Sequence, residues 1–180
     1  MIQFELPSKL EFENVRLLPL RETDFEALYR VASDPLIWEQ HPNKERYQRP
    51  VFEIYFKGAI ESKSAFLVSD KTSGEIIGCS RFYDFIAENK TICIGYTFLS
   101  RKCWGKSYNK SLKTVMLNHA FNFVDSVIFH VGHKNIRSQK AMEKLGAMNS
   151  GEEEMSYYGE APHTNIIYKI HKIQWLSNGN

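Results

Sequence analysis

Apolar positions along this chain recur with two different periods, and each change of period marks a new element. A spacing of three to four residues predicts helices, whereas alternating or continuously apolar runs predict strands. The predicted helices cover residues 23–33, 52–60, 112–123 and 135–146, and the predicted strands cover residues 15–20, 65–69, 75–83, 91–99, 126–131, 148–158 and 164–171. The resulting order, β-α-α-β-β-β-α-β-α-β-β, is typical of a mixed α/β protein in which an antiparallel meander leads into a parallel crossover.

Short polar signals mark several of these boundaries. Thr23 and Glu26 have the spacing of a capping box, and Asn135 is a residue type favoured at a helix N-cap. Pro19 has no N–H group to donate, so it predicts an edge position or a bulge in the first strand. Residues 38–50 are polar and interrupted by proline, which predicts a loop between the first two helices.

Composition and charge exclude several classes of protein. The 180 residues suffice for one domain, residues 1–180, and 43% hydrophobic with 24% charged residues is typical of a soluble globular protein. A net charge of +2 gives no general field for nucleic acid or an anionic membrane. Cys79, Cys93 and Cys103 are odd in number and far apart, and the sequence contains neither CxxC nor HExxH. Residues 1–7 lack a basic and an apolar region, and no run approaches the length of a membrane span, so we expect neither a signal peptide nor a membrane helix. We therefore expect a cytoplasmic protein with reduced thiols and no metal site, nucleic-acid partner or membrane partner.

Residues 101–110, Arg-Lys-Cys-Trp-Gly-Lys-Ser-Tyr-Asn-Lys, carry the clearest chemical signal. They follow an apolar strand and precede a helix. A strand that passes through a turn with glycine and lysine into a helix presents free backbone N–H groups and a positive helix end to an anion. Neither GxxxxGK[ST] nor GxGxxG is present, so the two common nucleotide motifs do not explain this turn.

The same turn resembles the pyrophosphate loop of the GNAT acetyltransferases, whose pattern is Gln/Arg-x-x-Gly-x-Gly/Ala. Here it reads Lys102-Cys-Trp-Gly105-Lys-Ser107, with serine where the family has glycine or alanine. Residues 16–24 and 135–146 are similar to the branch that contains the ribosomal-protein N-terminal acetyltransferases of the Rim type. The resemblance covers nearly the whole chain. It implies the GNAT fold, with a central, mixed and splayed sheet, and acetyl-CoA as co-substrate.

The resemblance also implies cofactor contacts from one strand end, the loop and two helix starts. These residues are Thr97, Phe98, Leu99, Lys102, Cys103, Trp104, Gly105, Lys106, Ser107, Tyr108, Asn135 and Ser138. Backbone groups at Thr97 and Leu99 would bind the pantetheine arm, and amides 102–107 would bind the pyrophosphate. Asn135 would bond the arm, and Ser138 would lie near the sulfur and protonate the departing thiolate. From spacing alone, Asn135 is more simply an N-cap and the loop an ordinary strand–helix turn.

The general base is harder to assign. A lysine-type amine is almost wholly protonated at pH 7, whereas an α-amine with a pKa of about 8 is neutral in roughly a tenth of the molecules. Only the more basic amine therefore needs a true base. The candidates are Glu39 and then His41, in the predicted 38–50 loop, with Glu160 and His163 between the last two strands as a competing pair. Each could equally be a polar surface residue.

The acceptor site is predicted from aromatic residues. Trp38 and Tyr83 are the substrate-binding candidates, and Tyr96, Tyr157 and Tyr158 could extend the same pocket, although such residues commonly pack in cores. We expect an N-acetyltransferase that uses direct attack in a ternary complex, with a peptide N-terminus or a small-molecule amine as acceptor. The alternatives are a catalytically degenerate acyl-CoA sensor and a protein with interaction functions only. Both a monomer and a homodimer fit the sequence.

Overall fold

The structure is a computed structural model that describes residues 3–157, 159–177 and 179. Its strands are β1 (Leu10–Phe12), β2 (Val15–Pro19), β3 (Ala65–Asp70), β4 (Ile76–Ile86), β5 (Thr91–Leu99), β6 (Ser126–Gly132), β7 (Met148–Met155) and β8 (His163–His171). Its α-helices are α1 (Phe25–Ala32), α2 (Arg49–Glu61), α3 (Tyr108–Ala120), α4 (Ile136–Lys144) and α5 (Lys172–Ser177). Short 3₁₀ segments lie at Glu22–Asp24, Pro35–Ile37, Lys44–Tyr47 and Arg101–Cys103.

All eight strands form one sheet in the order β1-β2-β3-β4-β5-β6-β8-β7. Every neighbouring pair is antiparallel except β5 and β6, which are parallel. These two strands pair only over Thr91–Cys93 and Ser126–Ile128 and then diverge, while β6 stays paired with β8 as far as Gly132. The predicted mixed and splayed sheet of the α/β fold is thereby confirmed.

Helices cover both faces of the sheet and bury two apolar clusters. One cluster includes the inner face of α3 together with Met142 of α4, and the other includes residues of α1 and α2. Leu112 and Met116 are fully buried because the four-residue spacing places both on the α3 face that meets the sheet. The start of α3 is therefore fixed relative to β5 by the core itself.

Several boundaries differ from the sequence predictions. β1 and α5 are additional elements, α3 ends at Ala120, and β7 ends at Met155. Tyr158, at the end of the predicted strand, lies outside the described residues. The predicted capping box at Thr23 and Glu26 is also wrong. The hydrogen bond at this helix start is made by Asp24, whose carboxylate accepts from the Arg21 N–H at 2.8 Å.

The register of β2 explains why a proline is tolerated at position 19. It pairs with Phe66 of β3, whereas the pairing of β1 with β2 ends at Leu17. The missing N–H of Pro19 therefore costs no ladder bond on the β1 side, where the strand has become an edge.

We predict that Leu112→Ala will lower the free energy of unfolding by about 2–5 kcal/mol, because a fully buried side chain leaves a cavity beneath α3. Leu36→Ala, at a position that is 45% exposed, is the matched control and should cost less than about 0.5 kcal/mol. Urea denaturation of both variants tests this. Equal losses would show that α3 does not pack as described.

Candidate active site

A cavity of about 140 Å³ opens where β5 and β6 separate. Its lining comes from β5 and β6, from the inner faces of α3 and α4, from the 38–50 segment and from the connection between β7 and β8. Among the lining residues are His41, Arg46, Tyr83, Tyr96, Thr97, Lys113, His130, Asn135, Ser138, Tyr157, Glu160 and His163. Polar and titratable side chains from distant parts of the sequence therefore meet in one space.

A bulge in β5 forms the floor of this cavity. The β4–β5 register shifts between Cys79 and Arg81, and Tyr96 has a positive φ of 51°. A Cβ atom at Gly95 would lie only 2.9 Å from the Tyr83 ring, so the absence of a side chain lets that ring cover the strand. The Tyr55 hydroxyl of α2 donates to the Tyr96 carbonyl at 2.7 Å and holds the bulge in place.

The loop before α3 has the geometry of an anion site. Gly105 has a φ of 70°, a conformation that glycine adopts without strain. Within the described residues, the backbone N–H groups of residues 105–109 donate no hydrogen bond to backbone or side chain. Free N–H groups at the positive end of a 13-residue helix attract an anion.

Side chains around this loop divide into anchors and solvent-facing groups. Cys103 is buried in the core, and the Trp104 indole N–H donates to the Leu99 carbonyl at 3.1 Å. Tyr108 donates to Asp70 at 2.5 Å, a bond that helps lower the pKa of Asp70 to about 2. Lys106 is exposed to solvent.

Two further loop residues already have partners in the protein. Lys102 forms an ion pair with Glu75, so it would have to exchange partners to reach a phosphate. The Ser107 hydroxyl accepts from the Asn14 amide at 3.0 Å. The serine that departs from the family pattern is thus held by β1–β2.

Asn135 and Ser138 lie together at the start of α4. The Asn135 side chain caps the helix by accepting from the Ser138 N–H at 3.1 Å, and Asn135 is 8% exposed. Both residues line the cavity. The cap uses only the amide oxygen, so the Asn135 NH₂ group keeps its donors for a ligand.

One end of the cavity, which we call the acceptor end, is lined by the 38–50 segment and the β7–β8 connection. This end contains an ion pair. Glu160 accepts from Arg46 Nε at 2.7 Å and from the Asn43 amide at 3.2 Å, and both bonds end on Oε1. The Arg46 and Glu160 side chains are only 5% and 8% exposed. Glu160 Oε2 is buried and accepts no hydrogen bond from any described residue. One carboxylate oxygen is therefore available at this end.

His41 and His163 line the same end with different chemistry. Burial, followed by the charge of Arg46, holds the pKa of His41 well below its usual value. His41 Nε2 lies 3.3 Å from Arg46 Nη1, a group that can only donate. His163 Nδ1 lies 3.2 Å from the Ala161 carbonyl, which can only accept, so in a neutral ring Nδ1 would carry the proton and Nε2 the lone pair.

Aromatic rings cover the middle of the cavity. Tyr83, Tyr96 and Tyr157 form an edge-to-face series, with ring centroids 5.1 Å and 5.6 Å apart. The Tyr83 hydroxyl lies 3.0 Å from His130 Nδ1. Burial raises the pKa of all three phenols, so they are neutral donors near pH 7.

Lys113 is a site residue that the sequence prediction missed. Its ammonium donates to Thr97 Oγ1 at 2.7 Å, and it is 3% exposed. Burial lowers its pKa to about 7. A signal was present in the sequence, because Lys113 lies four residues before the buried Leu117 on the same helical face.

Two residues predicted for the acceptor side, Trp38 and Glu39, do not line the cavity. Trp38 is 2% exposed, and its indole N–H donates to the Ala32 carbonyl, so it packs in the core behind Arg46. Glu39 is exposed on the surface. Neither belongs to the lining that the described residues form. Direct contact of Trp38 with substrate and proton transfer to Glu39 are thus not supported.

Comparison with known proteins identifies the family. Residues 14–148, three quarters of the chain, match the family described as Acetyltransferase (GNAT) domain. The chain belongs to the GNAT acetyltransferase family. It is therefore an acetyl-CoA-dependent N-acetyltransferase, as the sequence predicts.

Solved GNAT structures share the fold at low sequence identity. A GCN5-related N-acetyltransferase from Brucella melitensis is 18% identical, with a TM-score of 0.83, and the match covers 97% of this chain and 83% of that one. Spermidine N-acetyltransferase from Vibrio cholerae, in complex with CoA and spermine, is 14% identical, with a TM-score of 0.68 and coverage of 91% and 98%. Mycobacterium smegmatis RimJ, in complex with CoA-disulfide, is 16% identical, with a TM-score of 0.69 and coverage of 95% and 93%.

Within residues 3–157, 159–177 and 179, none of the helices of this GNAT protein has the length and apolar character of a membrane span. The same residues contain no group of three or more histidine, cysteine, aspartate or glutamate side chains arranged to hold a metal ion.

We predict that Lys113→Met will make the free energy of unfolding less dependent on pH. The folded-state pKa of Lys113, about 7, lies below the ordinary 10.5, so the unfolded chain binds more protons between these values. The wild type should therefore gain stability as the pH rises from about 7 to about 10, and the methionine variant should lack that gain. Urea denaturation across this range measures the difference. If the free energy of unfolding changed with pH equally in the wild type and Lys113→Met, burial of the Lys113 ammonium would be contradicted.

Proposed function

We propose that this protein transfers the acetyl group of acetyl-CoA to a small-molecule primary amine by direct attack in a ternary complex. The observation that carries this proposal is the single cavity at the β5–β6 gap. It joins the Asn135–Ser138 pair at one side to the Glu160 carboxylate at the other. A thioester and an amine that enter from opposite sides would meet at the β5 bulge.

The residues present fit acetyl-CoA. The free N–H groups of residues 105–109 suit a pyrophosphate, and Lys106 and Lys110 are exposed beside them. The gap beside Thr97 and Leu99 suits a pantetheine arm, to which the Asn135 amide would donate. A backbone N–H at the bulge would face the thioester oxygen and stabilise the negative charge that develops there.

The acceptor end favours a small amine over a peptide terminus. Pro42 packs closely against Gly132, because a Cβ atom on residue 132 would lie only 2.6 Å from the Pro42 ring. The Arg46–Glu160 pair ties the 38–50 segment to the β7–β8 connection. The acceptor end is therefore narrow and walled by aromatic rings, with Glu160 Oε2 as the group that would bind a cationic amine.

Proton transfer from the amine is assigned to His163. Its Nε2 keeps a lone pair at the acceptor end, whereas His41 Nε2 faces Arg46 and burial makes that ring a weak base. Attack then proceeds without an acetyl-enzyme, because the three cysteines are buried and burial raises the pKa of each thiol. Ser138 would donate to the departing sulfur.

Binding of CoA is the first test. Gly105→Asp, which places a carboxylate on the anion loop, should weaken CoA binding by at least about tenfold in isothermal titration calorimetry. Gly151→Asp is the control, because Gly151 also has a positive φ, 117°, and open surroundings but lies in β7, at the edge of the sheet. Equal affinities in the two variants would remove the loop from the site. An intact protein that binds no CoA would refute the proposal.

The acceptor side is tested by Glu160→Gln. With a panel of primary amines and detection of released thiol, we expect kcat/KM to fall about 10–100-fold while CoA affinity is unchanged, because the amine loses its charged partner. Glu154→Gln, at an exposed position of β7, is the control and should behave as the wild type. Unchanged turnover in the Glu160 variant would place amine binding elsewhere. CoA binding without turnover of any amine would favour the degenerate sensor.

A further inference from the structure

Acetyl transfer leaves a negative charge inside the gap. The amine nitrogen bonds to the thioester carbon, the C–S bond breaks, and its electron pair stays on sulfur. The proton of the attacking amine passes to the base, so the products are the amide, the protonated base and a thiolate. The sulfur carries this charge in the narrow space between β5 and β6, where water stabilises it less than in bulk.

Ser138 alone cannot stabilise the negative charge on the departing sulfur. A neutral hydroxyl donates a hydrogen bond but carries no charge. It is also a much weaker acid than a thiol, whose ordinary pKa is about 8.5, so proton transfer from Ser138 to a thiolate is unfavourable. A cation near the sulfur would stabilise the thiolate directly.

Lys113 is the cation in the right place. Its Nζ reaches the sheet beside the bulge, where it donates to Thr97 Oγ1 at 2.7 Å. Thr97 Oγ1 in turn lies 2.8 Å from Ser80 Oγ, and the Phe129 ring of β6 lies 5.5 Å from Nζ. Lys113 and Ser138 line the same cavity from α3 and α4. The ammonium therefore faces the space that the pantetheine arm would occupy.

No carboxylate among the described residues pairs with this ammonium. Glu160 lines the cavity but is bound to Arg46, and Glu13 accepts from Ser111 on the other side of α3. The imidazoles of His41 and His130 have pKa values lowered by burial. His163 faces Tyr157 at the acceptor end. A buried cation without a counter-ion is costly, so its charge is a candidate for binding an anionic ligand.

We propose that the Lys113 ammonium is the counter-ion of the CoA thiolate and stabilises this leaving group as the C–S bond breaks. The role rests on the proposed acetyl transfer. The thiolate takes up a proton when CoA is released, and the base returns its proton to solvent, so that CoA leaves as the thiol.

The magnitudes favour the ion pair. Moving a proton from a thiol with a pKa of about 8.5 to an amine with a pKa of about 7 is uphill by roughly 1.5 pKa units. Two unit charges about 4 Å apart, at an effective dielectric constant of about 20, attract by the equivalent of roughly three pKa units. An attraction of this size exceeds that cost, so an ammonium at this distance from the sulfur would favour the thiolate.

The test is an absorbance titration of the bound thiol, which needs no acceptor. Difference spectra between the CoA and desulfo-CoA complexes, recorded from pH 5 to 10, report the thiolate. In the wild type we expect the bound thiol to ionise at least about one pH unit below free CoA. Lys113→Met should return the ionisation to the free value or above, whereas Ser138→Ala should shift it less.

The controls separate this inference from the acetyltransferase proposal. Desulfo-CoA has no thiol, so its affinity should be the same in the wild type and Lys113→Met. If Lys113→Met fails to bind desulfo-CoA, Lys113→Gln takes its place, because glutamine keeps a donor for Thr97 but carries no charge. We expect the same unchanged affinity for desulfo-CoA and the same return of the thiol ionisation to the free value or above. A wild-type complex whose thiol ionises as in free CoA overturns the inference, as does an unchanged ionisation in the uncharged variants. Absence of binding of both ligands to the wild type refutes the acetyl-CoA site itself.

Discussion

The separation of β5 from β6 is the constraint on which the rest of this structure depends. The two parallel strands share only three residue pairs before they diverge, while β4 and β8 hold their outer edges. The bulge at Tyr96 turns the end of β5 away, and α3 and α4 flank the opened edge. Backbone groups that would otherwise complete the β5–β6 ladder are therefore left without a strand partner beside the cavity.

Buried charge has a consistent distribution around this gap. Arg46 and Glu160 are paired at the acceptor end, whereas Lys113 and Arg81 lack carboxylate partners among the described residues. Arg81 lies 4.0 Å from the Tyr96 ring centroid, on the opposite side of β5 from Lys113. Unpaired buried cations reduce stability, and both of these lie beside the bulge of β5.

Patterns that depend on neighbouring residues were predicted well. The order of the strands and helices, the strand–turn–helix geometry at Gly105 and the cap at Asn135 follow from local periodicity, glycine conformation and side-chain reach. Residues of the polar 38–50 segment were harder to place. His41 and Arg46 line the cavity, while Trp38 and Glu39 do not, because a turn closed by the His41 N–H and the Trp38 carbonyl directs neighbouring residues to different surroundings.

The family, the mixed α/β order and the loop that starts α3 can be predicted from the chain alone, since each is encoded by residues close together in sequence. Which charged groups share the cavity depends instead on the three-dimensional fold. Lys113 meets Thr97, and Arg46 meets Glu160 across 114 positions. Such meetings depend on packing between elements that are distant in sequence, and the energetic consequence of each charge depends on its burial and its partners. The local sequence pattern specifies neither the burial of a charged side chain nor its partner.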